Sequence, residues 1–313
     1  MAQSTEVFNQ QVAAPRQLGA ALERRAKPVA GFWVSAWRRF RRDKLAMTAL
    51  AIALLIVAFA VLAPLVSTLT GFSYQENHLA NKLAPVNTDG YLLGSDGNGR
   101  DILTRLAYGG RVSLLFAALG AVSTLILGSI LGAVSGFFGG WVDSLIMRTV
   151  DVILSLPTLI VLILIASFYR PNVVILALFV ALISWTGVAR LVRGQVLTLR
   201  SRDFVEAARV IGATDSRIIG RHILPNVVPI VIVWLSLSVP GLILLETSLS
   251  YLGVGIQTPT PSWGNMLQEA KSVFRQQWTV VFIPGFMVFL TALCLSLVGN
   301  GVRDAVDPRL TNE

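Results

Sequence analysis

The sequence predicts an all-α integral membrane protein with six transmembrane helices and an amphipathic helix before the first of them. The composition is the first observation behind this prediction, since hydrophobic residues make up 54% of the 313 residues and charged residues only 14%. A typical soluble domain has roughly 25% charged residues. The second observation is the length of the apolar runs, and the third is the distribution of Lys and Arg between them.

Six apolar runs are long enough to cross the membrane as helices, because a hydrocarbon core about 30 Å thick takes about 20 helical residues. These runs are residues 46–69, 112–138, 144–169, 173–188, 227–251 and 280–298. In the second run Gly128, Gly132 and Gly136 are each four residues apart. This spacing predicts that another helix packs closely against the second span.

Lys and Arg are concentrated on one predicted side of the membrane. Nine precede the first run and seven lie in residues 189–226, whereas the four in residues 70–111 are offset by four acidic residues. Because positively charged loops stay in the cytoplasm, we expect both termini, including a disordered segment 1–30 and a tail 303–313, to be cytoplasmic. The loop 189–226 then faces inward, and the loops 70–111 and 252–279 face outward.

Residues 31–45 combine aromatic and basic side chains ahead of the first span. Phe32, Trp33, Trp37 and Phe40 recur at helical spacing within a cluster of arginines. This pattern predicts a helix that lies in the inner membrane interface, with its Arg side chains on anionic lipid. The alternative is an ordinary orienting signal for the first span.

The inward loop predicts two short helices joined by a tight turn. Asp203 can cap the first helix, with Glu206 three residues on as in a capping box. Gly212 suits a helix end that needs a left-handed residue. Thr214 or Asp215 can cap the second helix, and a proline at 225 would end it.

The first of these helices is expected to have a small side. Ala207, Ala208 and Gly212 leave room for a partner to approach closely. A helix–turn–helix can also bind DNA, but apolar spans flank this loop on both sides, so no nucleic acid is expected as a partner. The remaining alternative is a structured loop without a partner.

Glu246 is the one acidic residue deep inside a predicted span. A charge there costs about 2.5–3.5 kcal/mol on insertion scales. Either it lines a pathway and senses the amine of a substrate, or it forms a hydrogen bond between helices or subunits.

The inward loop resembles a known motif. Glu206-Ala207-Ala208, followed after three residues by Gly212 and after eleven more by Leu224-Pro225, resembles the EAA loop of ABC importer permeases. These are the membrane subunits of binding-protein-dependent transporters. Residues 93–105, 251–266 and 302–309 are similar to the C-type dipeptide/oligopeptide permease subunit.

The resemblance implies a MetI-like type I ABC importer permease of the bacterial cytoplasmic (inner) membrane, with residues 112–302 as the permease core. It implies a heterodimer with a second homologous permease subunit, two cytoplasmic ABC ATPases and an extracytoplasmic substrate-binding protein. Segment 200–226 would form the coupling helix in a groove of one ATPase. The residues carried over for this role are Glu206, Ala207, Ala208, Gly212, Leu224 and Pro225. Transport would proceed by alternating access.

The chain is not expected to be an enzyme or to hold a cofactor. It contains no Gly-Lys dipeptide, which a P-loop requires, so ATP and Mg²⁺ would be bound by the partner ATPases. One cysteine and two histidines argue against a metal centre of the Cys or His type.

Three alternatives remain open. The same machine could import nickel chelates, glutathione or sugars instead of di- and oligopeptides. A secondary transporter or channel would show ionisable residues along its spans and internal repeats, and a membrane-embedded enzyme would show clustered His, Cys or acidic residues.

Overall fold

The structure, a computed structural model, describes residues 32–169 and 171–307. The expectations for residues 1–30 and for residues 308–313 of the tail lie outside these ranges. Within the described ranges the chain forms twelve α-helices and no strand. They are α1 (Phe32–Phe40), α2 (Lys44–Val61), α3 (Ala63–Thr70), α4 (Ile102–Phe138), α5 (Gly140–Ser155), α6 (Thr158–Tyr169), α7 (Val173–Leu199), α8 (Asp203–Val210), α9 (Asp215–Ile218), α10 (Leu224–Tyr251), α11 (Trp263–Ala270) and α12 (Thr279–Val306).

Several helices are longer than the apolar runs that predicted them. Helix α4 begins at Ile102 rather than at residue 112, because Asp101 caps it by accepting a hydrogen bond from the Thr104 N–H at 2.7 Å. Helix α7 continues to Leu199 rather than ending at residue 188. The apolar run marks only the part of a helix that lies in hydrocarbon, and the helix itself continues into the polar layer.

The first predicted span is two helices instead of one. Helix α2 ends at Val61, and α3 begins at Ala63 with Pro64 in its first turn. A proline has no N–H for the helical hydrogen bond, and its ring clashes with the carbonyl four residues earlier, which here belongs to Ala60. The prediction of one uninterrupted helix over residues 46–69 was therefore wrong.

The third predicted span is broken more sharply. Helices α5 and α6 meet at 85°, and Leu156 between them is extended, with φ −94° and ψ 138°. Pro157 causes this, since a proline disfavours helical geometry in the residue before it. The prediction of one continuous helix over 144–169 was wrong.

The glycines of α4 pack against α7. A Cβ atom on Gly132 would lie 2.5 Å from the Ala189 carbonyl oxygen, and one on Gly128 would lie 2.4 Å from the Val188 Cβ. These distances allow no side chain at either position. The predicted close helix approach is confirmed, and its partner is a helix of the same chain.

Helices α4 and α7 run parallel. A Cβ atom added at Gly120 would lie 3.9 Å from the Ala177 carbonyl oxygen, and one at Gly136 would lie 2.9 Å from that of Arg193, so the contacts advance in the same direction along both helices. The end of α4 and the start of α7 therefore lie at opposite ends of the pair. The broken pair α5–α6, which joins them, must return from one end to the other and forms one crossing.

Six crossings follow when each broken run counts once. They are α2–α3, α4, α5–α6, α7, the continuous helix 215–251 and α12. Five of the helices are long and apolar enough to cross alone, and the bent pair adds the sixth. The predicted number of spans agrees with this architecture.

Helix α1 confirms the helix predicted within residues 31–45. Ala36 and Phe40 are buried, and Phe40 packs with Ala305 near the end of α12. Trp33 and Trp37 lie beside them on the same side of the helix and are exposed. Their predicted contact with the membrane interface remains a prediction.

Candidate coupling loop and a buried carboxylate

The loop after α7 contains the short helix that the sequence predicted, with a different start. Arg202 stands at the N-cap position, and no side chain caps the helix. Asp203 is instead its first residue, so the predicted capping box with Glu206 was wrong. Both acidic side chains lie in the first turn, where a carboxylate favours the positive end of the helix dipole.

Gly212 ends this helix in the predicted left-handed conformation, with φ +81°. Its N–H bonds the Arg209 carbonyl at 2.9 Å, and the N–H of Ala213 bonds the Ala208 carbonyl at 3.0 Å. This pair of hydrogen bonds is a Schellman motif. A Cβ atom at Gly212 would meet nothing within 4 Å, so only the backbone conformation requires glycine here.

The two faces of α8 differ from the prediction. Val205 and Ala208 are buried in a cluster that also holds Ile218 and Val196, because α8 folds back on the C-terminal end of α7. Ala207 lies on the exposed side. The two alanines therefore do not form one small face toward a partner, and Ala208 packs inside its own chain.

The exposed tip of the loop was missed from the sequence. Val210 and Ile211 are 87% and 83% exposed, although both are apolar. The signal was available, because helical spacing from Val205 and Ala208 puts Val210 on the opposite face. Large apolar side chains held this far out of the core are typical of a contact surface.

The second helix of the loop does not end at Pro225. Thr214 occupies its N-cap position without a side-chain hydrogen bond, and helix α9 continues through a π-helical turn, residues 219–223, into α10. Leu224 and Pro225 open α10. The wider π turn accommodates the missing N–H of the proline, which is why the predicted end was wrong.

The carboxylate of Glu246 is fully buried. One oxygen accepts a hydrogen bond from Ser113 Oγ at 2.9 Å, and the other accepts one from Ser250 Oγ at 2.7 Å. Ser113 also accepts the backbone N–H of Trp263 at 3.3 Å. This geometry favours the helix–helix hydrogen bond, because the carboxylate joins α4, α10 and the start of α11.

A second charged cluster ties the two predicted outward loops together. Arg100 bonds Asp96 at 2.8 Å and Glu269 at 2.5 Å, and the buried Arg105 also bonds both acids. No local pattern indicated this cluster, since Glu269 lies far along the chain. The chain turns tightly beside Asp96, with Gly99 at φ +78°.

Comparisons with known proteins agree with this architecture. A family model described as "binding-protein-dependent transport system inner membrane component" matches residues 125–312. A second, described as "N-terminal TM domain of oligopeptide transport permease C", matches residues 31–85. The two matches cover the core and the N-terminal part of the chain.

Individual relatives match over nearly the whole chain. The oligopeptide transport system permease protein OppC of Haemophilus influenzae is 40% identical over 279 residues, 88% of this chain and 88% of that protein. The dipeptide transport system permease protein DppC of Bacillus subtilis is 36% identical over 285 residues, 91% of this chain and 88% of that protein. The glutathione transport system permease protein GsiD of Pectobacterium atrosepticum is 36% identical over 286 residues, 91% and 94% of the two chains.

These matches confirm the resemblance that the sequence motifs indicated, and with it the predicted fold class. They do not test the individual residues of the coupling loop, whose role remains a prediction. The chain is a multi-pass membrane protein and belongs to the family of binding-protein-dependent transport system inner membrane components.

Proposed function

We propose that this chain is a permease subunit of an ATP-driven importer that carries di- and oligopeptides across the bacterial cytoplasmic membrane by alternating access. The observation that carries the proposal is the loop between α7 and α10. It pairs an EAA-like sequence with a rigid helix, a Schellman turn at Gly212 and an exposed apolar tip.

The tip at Val210 and Ile211 is the part of the loop that docks on an ATPase. Burial of a large aliphatic side chain contributes about 1.5–3 kcal/mol, so the pair supplies a substantial contact for a small loop. Glu206 and Ala207 lie on the exposed surface of the same helix and complete this contact. Ala208 and Leu224 hold the loop on its own chain, and Pro225 lies exposed in the first turn of α10.

The other components follow from the family. A second homologous permease forms the heterodimer, two cytoplasmic ATPases bind ATP and Mg²⁺, and an extracytoplasmic binding protein delivers the solute to the side of loops 70–111 and 252–279. Both termini of this chain are cytoplasmic. Helix α1 then rests on the inner leaflet, with Arg38, Arg41 and Arg42 exposed toward its anionic lipids.

Peptides are the preferred cargo because the relatives named for oligopeptide and dipeptide transport match at 40% and 36% identity. Glutathione is the second candidate, since a permease named for glutathione transport matches at 36%. That relative is less similar than the oligopeptide permease, and glutathione is itself a small peptide.

Uptake into proteoliposomes tests the proposal. The chain is reconstituted with its partner permease, the two ATPases and the binding protein, and entry of labelled tri-alanine is measured with excess unlabelled glutathione as competitor. We expect uptake that needs both ATP and the binding protein and that glutathione does not block. ATP hydrolysis by the purified chain alone, or tri-alanine uptake without ATPases, would contradict the assignment. Uptake of glutathione but not of tri-alanine would identify glutathione as the transported solute.

A further inference from the structure

The break between α5 and α6 is not covered by any other part of the described chain. Each residue from 154 to 160 is exposed, including both residues of the Leu156–Pro157 break. The helices on either side are anchored, because Val150 and Leu162 are buried. The exposed segment therefore lies between two helices that both pack on the rest of the chain.

The break lies at hydrocarbon depth. At the C-terminal end of α6, the ring of Tyr169 contacts that of Phe179, with ring centroids 6.0 Å apart. On α5, Val150 packs with Trp185 and Ala189. The break therefore lies beside the stretch of α7 between Phe179 and Ala189. At 1.5 Å per residue this stretch covers roughly 9–24 Å from the start of α7, the middle of a ~30 Å core.

Lipid is a poor neighbour for such a break. The first helical hydrogen bond of α6 joins the Ile160 N–H to the Pro157 carbonyl at 3.0 Å, so the N–H groups of Thr158 and Leu159 precede it. Irregular backbone at membrane depth is tolerated only where it is buried in protein or lines a water-filled cavity. The exposed face of this break therefore does not lie against hydrocarbon.

A charged pair marks the inner end of the same surface. Asp151 and Arg190 form an ion pair whose side chains are 64% and 50% exposed. Asp151 and Ser155 are four residues apart on α5 and so share one helix face, which leads directly to the break. Ionisable side chains within a membrane-spanning segment almost always face the bundle interior or a water-filled cavity.

We propose that this break surface, formed by Asp151, Ser155, Leu156, Thr158 and Arg190, is a wall of the water-filled path between the two permease subunits. The Asp151–Arg190 pair presents one negative and one positive charge, the complement of the two termini of a zwitterionic peptide. This inference rests on the proposed function and gives it a site. In this arrangement the Asp151–Arg190 pair, and not the buried Glu246, makes the polar contact with the substrate.

Cysteine accessibility tests the wall in the assembled complex. The single native cysteine is first replaced by Cys294→Ala, and then Ser155→Cys and Thr158→Cys are made separately. Leu55→Cys is the matched control, because Leu55 is exposed in the uncharged middle of α2. The probe is a charged, membrane-impermeant methanethiosulfonate, which reacts with the thiolate that forms in water.

We expect residue 158 to react about 100-fold faster than residue 55 in the ATP-free or the vanadate-trapped state, since a thiol in apolar surroundings stays protonated. Excess tri-alanine should slow the reaction at 158. Reaction at 155 and 158 as slow as at 55 in both states would place an apolar partner surface over the break and overturn the inference. Tri-alanine uptake is measured on the same complex, so failure of the cargo assignment is seen separately.

A charge reversal tests the ion pair. Asp151→Asn should raise the KM for tri-alanine about 10-fold, equivalent to about 1.4 kcal/mol. The reversed pair, Asp151→Arg with Arg190→Asp, re-forms the ion pair but should stay impaired, because each terminus then meets a like charge. Recovery of the wild-type KM in the reversed pair would mean that the pair only joins α5 to α7.

Discussion

Replacing Gly212 by valine is expected to abolish transport while the chain still inserts and pairs with the second permease. Gly212 has φ +81°, and a non-glycine residue in this conformation costs roughly 1–2 kcal/mol, with the β-branched valine at the upper end. A Cβ atom there would meet no neighbour within 4 Å. The substitution therefore acts on the Schellman turn alone and moves the tip at Val210 and Ile211.

Two variants control this result. A Cβ atom added at Gly220 would also meet nothing within 4 Å, but this glycine lacks the positive φ, so Gly220→Ala should transport at close to the wild-type rate. Gly212→Asn should keep much of the activity, because asparagine tolerates the left-handed region. Uptake and co-purification of the ATPases are measured together. Wild-type uptake with fully bound ATPases in Gly212→Val would remove the coupling role of this loop.

The substitution Gly132→Val should prevent the chain from accumulating as a folded protein. A Cβ atom at this position would lie 2.5 Å from the Ala189 carbonyl oxygen and 2.9 Å from its Cα, and these backbone atoms cannot rotate away. Forcing a side chain into a packed core costs typically 1–3 kcal/mol and sometimes more. The valine side chain would push α4 away from α7, and the α5–α6 crossing that connects these two helices would lose its packing.

Gly194 supplies the matched control for Gly132. It lies in α7, and a Cβ atom there would meet nothing within 4 Å. Because alanine favours a helix over glycine by about 1 kcal/mol, Gly194→Ala should be neutral or slightly stabilising. Folded yield and the midpoint of thermal unfolding in detergent decide the comparison. Equal midpoints for Gly132→Val and the unchanged chain would show that the close α4–α7 contact is not needed.

The sequence predicted the spans because hydropathy is a local property, and it missed what depends on single prolines. Pro64 and Pro157 both lie inside long apolar runs, so a hydropathy criterion passes over them. At Pro225 the error was the reverse: this proline was expected to end a helix, but the helix continues through it. There the π-helical turn before it allows the helix to continue, and such turns have no clear sequence signal.

The candidate site was predicted in outline only. The coupling role that the motif assigns to this loop remains a prediction, whereas the left-handed Gly212 is confirmed and follows from the chemistry of glycine. Which alanine points inward depends on how α8 folds back on α7, and no local pattern defines that. The contact of Arg105 with Glu269 joins residues 164 positions apart, and the sequence alone could not pair them.

The number and direction of the crossings is the claim on which the rest depends, and cysteine labelling from one side of the membrane tests it most directly. Single cysteines replace Gln75, Trp141, Tyr169 and Ser216, all exposed, in a Cys294→Ala background. An impermeant maleimide is added to intact cells and then to permeabilised cells. We predict that positions 75 and 169 label from outside and that 141 and 216 label only after permeabilisation. Labelling of 141 and 169 from the same side would make α5–α6 a re-entrant loop and contradict the six-crossing architecture.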